Sequence, residues 1–147
     1  MELLVVMAIV GLIVAVSAPS VGAGLDSVRL ATASDLISSF LNAAVDHAER
    51  RQVPVLVEIS PKDGRLSAWS NEPGFKREIA LPGGISIEAV LPRVADEDPA
   101  AVRKLILMPG ATVPGIGIQF ANQRGGRRIV RLDPMTGFPR TESVHTE

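Results

Sequence analysis

The sequence predicts an α+β chain: one long N-terminal α-helix, membrane-spanning in its first half, packed on a C-terminal antiparallel β-sheet or small β-sandwich head. Three observations carry this. Residues 3–16 form an unbroken apolar run directly after Glu2. Apolar side chains then recur at helical spacing across residues 21–48. From residue 53 onward, short stretches rich in β-branched residues alternate with Pro- and Gly-containing turns. The implied division is 1–21 for the transmembrane half of the helix, 22–52 for its amphipathic half and 53–147 for the head.

Residues 3–21 approach the roughly 20 residues that an α-helix needs to cross a bilayer core. Glu2 sets the segment apart, because an acid leading into lipid is expensive unless a counter-charge meets it. Three other readings compete. A buried core helix rarely starts a chain with four turns lacking a polar face. A signal peptide would use the small residues of Ala18-Pro19-Ser20-Val21-Gly22-Ala23 for cleavage, but it opens on a basic segment, and here the first charge is acidic. An ordinary single-pass anchor would be oriented by basic flanks that are weak here. None of these accounts for Glu2.

Pro19 removes one backbone donor and crowds the preceding turn, so a kink rather than an end is expected there, with Gly22 and Gly24 softening the same region. Beyond it, Val21, Leu25, Val28, Leu36, Ile37, Phe40, Leu41, Ala44, Val45 and Ala48 predict one continuous apolar stripe. Asp26, Ser27, Arg29, Ser34, Asp35, Ser38, Ser39, Asn42, Asp46, Glu49 and Arg50 form the polar face. The expected helix has about 48 residues and is roughly 70 Å long.

Strands are expected over residues 53–60, 65–70, 76–81, 85–91, 102–108, 116–121 and 127–132. Pro61-Lys62-Asp63-Gly64 supplies the turn of the first hairpin. The loops at 92–101 and 109–115 are not domain linkers, since strands on both sides need each other for a core, and one head on one stalk follows.

The segment Glu2-Leu3-Leu4-Val5-Val6-Met7-Ala8-Ile9-Val10-Gly11-Leu12-Ile13, followed by Ala18-Pro19-Ser20, resembles the mature N-terminus of a type IV pilin or a type II secretion pseudopilin. The spacing from Glu2 to Pro19 is also similar. Within that superfamily the chain looks most like the H-type minor pseudopilins grouped with the FimT pilins (GspH/FimT family). The passage from Leu36-Ile37-Ser38-Ser39-Phe40-Leu41 through His47-Ala48-Glu49-Arg50-Arg51 into Val53-Pro54-Val55-Leu56-Val57 carries that likeness. So do Ile118-Gln119-Phe120, Arg128-Ile129-Val130-Arg131 and Thr136-Gly137 as a terminal hairpin.

The resemblance implies a single-pass inner-membrane subunit with its head in the periplasm and Glu2 paired with the N-terminal amine of a neighbouring subunit. Implied partners are other pseudopilins or pilins, met through the helix, and the inner-membrane assembly platform. Prepilin peptidase, with N-methylation of the mature end, is implied only for a start upstream. The leader, its closing glycine and the Phe-Thr-Leu that precede the run in that family have no counterpart before Met1.

A net charge of −1 over 147 residues implies no global attraction to nucleic acid or anionic lipid. No cysteine is present, so no disulfide supports the head. Only His47 and His145 could serve as neutral-pH bases, and both read as structural or solvated. No phosphate loop, nucleophile elbow or metal-spaced His/Cys cluster occurs, so neither an enzyme nor a cofactor is expected. Asp96-Glu97-Asp98 lacks the spacing of a calcium loop and reads as a solvated surface, so no metal is expected either.

The basic residues Arg124, Arg127, Arg128, Arg131 and Arg140 cluster late in the chain. On an extended strand Arg127 and Arg131 share a face with Ile129, while Arg128 lies with Val130 and Leu132. Some FimT-like pilins bind DNA through C-terminal arginines. Here no aromatic side chain interleaves for base stacking, and Asp133, Glu142 and Glu147 dilute the field. Two functions are therefore expected to compete. One is a structural minor pseudopilin at the tip of a secretion pseudopilus. The other is a minor pilin of a type IV pilus that takes up DNA through these arginines.

Overall fold

The computed structural model describes residues 1–144, the side chains of Pro19 and Ser20 excepted, so His145 and Glu147 lie outside the described residues. One helix, α1 (Glu2–Arg51), precedes eight strands: β1 (Val55–Ser60), β2 (Arg65–Ser70), β3 (Lys76–Ala80), β4 (Ile85–Leu91), β5 (Arg103–Leu107), β6 (Gly117–Asn122), β7 (Arg127–Leu132) and β8 (Pro139–Ser143). They form two four-stranded antiparallel sheets, ordered β3-β2-β1-β5 and β4-β6-β7-β8. The chain is α+β, as its patterning predicts.

The helix runs unbroken through Pro19. It ends where Gln52 turns into the left-handed region at φ 55°. The Gln52 side-chain amide donates to the Glu49 carbonyl at 2.6 Å, satisfying one of the end carbonyls. Pro54, two residues on, cannot continue a helix.

The expected stripe is covered only in part. Leu30, Ala33, Ile37, Phe40, Leu41, Ala44 and Ala48 are buried, whereas Val21, Leu25 and Val28 are exposed. Ser34, assigned to the polar face from the sequence, is buried at 2% exposure and donates its hydroxyl to the Leu30 carbonyl at 3.0 Å. The core of the head covers the helix from Leu30 onward and not from Val21, about the last six turns.

Val55, Val57 and Ile59 of β1 point into the same core as Ile118 and Phe120 of β6 and Val130 and Leu132 of β7, with the helix completing it. Strict alternation in β1 turns Leu56, Glu58 and Ser60 outward. The Pro61–Gly64 hairpin closes as predicted, with Gly64 at φ 61° donating to the Pro61 carbonyl and Ser60 Oγ donating to Asp63. In β4 a register shift between Ile87 and Ala89 leaves Glu88 as the extra residue of a bulge. β8, beyond the seven strands read from the pattern, is the second arm of the terminal hairpin that the resemblance implies at Thr136-Gly137, pairing with β7 across the Asp133–Phe138 turn.

Candidate functional site

Glu2 stands in the first turn of α1, where the unpaired amides and helix dipole favour an acid. Beyond it the helix presents apolar side chains all round. Leu3 is 77% exposed, Val14 60% and Val28 61%, while Leu30 drops to 7%. Exposure of this kind over residues 3–28 lies far above the isolated apolar side chains that soluble surfaces tolerate. One helix is therefore long and apolar enough to cross a membrane. Its apolar run over residues 3–16 is exposed throughout, and from Leu30 onward it is the head's spine.

The sequence-predicted arginines are not assembled into one basic face. Arg124, on the β6–β7 turn, reaches back to the helix and pairs with Asp26 at 2.7 Å. Arg127 turns to the outer face of its sheet, where its Nε donates to both Glu88 carboxylate oxygens at 2.9 and 3.1 Å. Gln119 donates to the same carboxylate at 2.9 Å. The Arg127 hydrogen bond, with smaller contributions from Gln119 and nearby positive charge, outweighs partial burial and holds the Glu88 carboxyl below its ordinary range.

Arg128 turns the other way, towards the helix, with its guanidinium donating to Ser34 Oγ at 3.4 Å. Its place on the face of Val130 and Leu132 is the one that strand alternation requires. Arg131 is exposed opposite Arg140, which itself binds Asp133 at 3.1 Å. Four of these five side chains thus hold the head together or tie it to the stalk.

His47 fits the structural role expected of it. Its ring stacks on Phe75 at 3.8 Å, and Nε2 lies 3.5 Å from both Ser70 Oγ and a Glu72 carboxylate oxygen. The acidic loop is tied up internally: Glu97 accepts from Arg103 at 2.7 Å, and Asp98 accepts the Ala100 amide at 2.9 Å. Among the described residues no group of three or more His, Asp or Glu side chains is placed to hold a metal ion.

The contact that sequence reasoning missed is at Gly22. A Cβ there would lie 2.7 Å from Arg124 Nη2, so the arginine crosses the helix where a side chain is lacking. A glycine in mid-helix, costing about 1 kcal/mol relative to alanine, was the available signal.

A long N-terminal helix packed on antiparallel sheets is an architecture consistent with a pilin-like subunit. No family model matches the chain, and neither a curated protein nor a solved structure is matched by it.

Proposed function

We propose that this chain is a minor pseudopilin of the H type: a structural subunit at the tip of the pseudopilus of a type II secretion system, held in the inner membrane by α1 with its head in the periplasm. The observation that carries this reading is the split helix. Residues 3–16 are exposed and apolar on every side, while the same helix from Leu30 onward packs into the core of the head. Such a helix requires two surroundings: lipid while the subunit waits, and the helices of neighbouring subunits once it is assembled.

Glu2 supplies registry. Its carboxylate at the head of the apolar run is costly until it meets the N-terminal amine of a neighbour, so only one axial position of the incoming subunit relieves the cost. Other pseudopilins and the inner-membrane assembly platform are the partners, and no step requires a cofactor. The engagement of Arg124, Arg127 and Arg128 within the fold favours this structural role over DNA capture.

The test is Glu2→Ala in the native host. Membrane insertion should be unchanged or improved, and incorporation into filaments, read by cysteine crosslinking between neighbouring helices, should fall at least tenfold. Full incorporation of the variant would remove the proposed role of Glu2.

A further inference from the structure

The β6–β7 turn meets α1 at a height that matters if the helix spans a bilayer, and this inference rests on that reading. A hydrocarbon core of about 30 Å corresponds to about 20 helical residues, which carries the chain from Glu2 to Gly22. Arg124 crosses the helix at Gly22, and the first charged side chains after Glu2 are Asp26 and Arg29. The lowest contact of the head with its stalk therefore falls at the layer of lipid phosphates.

Among the described residues the charges at this level do not balance: Asp26 is the one acid there, 2.7 Å from Arg124 and 3.8 Å from Arg29. Two guanidinium groups share it, and about half of each arginine side chain remains exposed. A Cβ on Gly84 would lie 3.7 Å from Arg29 Nη1 and 3.9 Å from Gln123 Cδ, so the β3–β4 turn lies against Arg29 and beside the β6–β7 turn that carries Arg124. A guanidinium with one partner keeps free N–H donors in a planar fork, which matches a phosphodiester.

We propose that Arg29 and Arg124 form a phospholipid-headgroup site that seats the head on the bilayer through its β6–β7 turn. Asp26 orients both guanidinium groups along the helix, and the lipid phosphate takes the donors that Asp26 leaves open. The seat fixes the height of the head above the membrane, and so the height at which it is presented to a growing filament.

The test uses the full chain with labelled arginine, one copy per lipid nanodisc of phosphatidylcholine and phosphatidylglycerol, so that no second copy can supply the contact. Dephasing of arginine Cζ signals by lipid phosphorus is read by solid-state NMR, and helix insertion by oriented circular dichroism. Dephased Cζ signals are expected in the native chain and in Arg140→Gln. Arg140 is the control because its turn lies beside Val45, where a Cβ on Gly137 would be 3.6 Å from Val45 Cγ1; that is about 35 Å further along the helix than Gly22.

The double variant Arg29→Gln, Arg124→Gln should lose the effect. If that variant does not fold, the double lysine variant keeps both charges and should pass the dephasing to lysine Cε. An inserted helix with no dephasing, dephasing unchanged in the glutamine variant, or phosphorus coupling at the shift of inorganic phosphate would each overturn the proposal. A helix that fails to insert would overturn the membrane reading beneath it, which the dichroism reports separately.

Discussion

Glu88 gathers the best-connected polar group of the head's outer face on one carboxylate. Glu88 is the extra, unpaired residue of the β4 bulge, and Arg127 and Gln119 both donate to its carboxylate. Because its folded pKa is lowered, the ionised pair adds stability above the ordinary carboxylate range, and that contribution is lost as pH falls through the lowered value. Glu88→Gln should cost up to about 1 kcal/mol at pH 7, the range of partly exposed pairs. It should also flatten the loss of stability as pH falls below the ordinary carboxylate range, leaving the part due to Asp133, whose carboxyl is held low first by the Met135 amide. Denaturant midpoints measured in detergent across that range check both statements, and an unchanged slope would show that the pair does not survive in solution. The sequence placed Arg127 and Arg128 on opposite faces by alternation alone. It did not indicate their partners, because Glu88 and Ser34 are distant in the chain and meet them only through the tertiary fold.

For the elements, the apolar period gave the direction of the helix face but not the length that the head covers. Val21, Leu25 and Val28 continue the spacing of Phe40 and Ala44, and nothing in a periodic pattern marks where strands stop covering it. The boundary at Leu30 is a property of the sheets. It predicts unequal responses along one helix: Phe40→Ala, in the core at 2% exposure, should cost about 3–5 kcal/mol, and Val28→Ala less than about 0.5. Comparable losses at both sites, measured as shifts in unfolding midpoint, would mean that the head covers residue 28. Strands buried on one face were legible from alternation, and Arg65–Ser70, Ile85–Leu91 and Arg127–Leu132 match the expected bounds. β8 was not, since Pro139, Arg140, Thr141, Glu142 and Ser143 have no apolar alternation to display. A polar edge strand of that kind protects its sheet against pairing with other chains and hides the strand from pattern reading.

On the scale of the whole molecule, two solvents are written into one helix. Residues 3–25 contain no charge, and residues from Leu30 to Ala48 supply one wall of the head's core, so the two halves are energetically separable. A chain beginning at Asp26 keeps every core side chain of α1 and starts its helix on an acid, which the helix dipole favours. It should be soluble without detergent and unfold in one cooperative transition, with a midpoint within a few degrees of the full chain in mild detergent. A chain beginning at residue 42 loses Leu30, Ala33, Ile37, Phe40 and Leu41 together, leaving both sheets without the wall they close on. It should show no cooperative transition and lose the near-ultraviolet dichroism of Trp69. Aggregation of the longer fragment would mean that residues 3–25 shield part of the head, which would couple the halves and make anchor and fold a single unit. A cooperative transition in both fragments would mean instead that the two sheets close without the helix. Solubility and cooperativity in the longer fragment, with neither in the shorter, is the pattern expected of a subunit whose stalk can exchange lipid for neighbouring helices while its head stays folded.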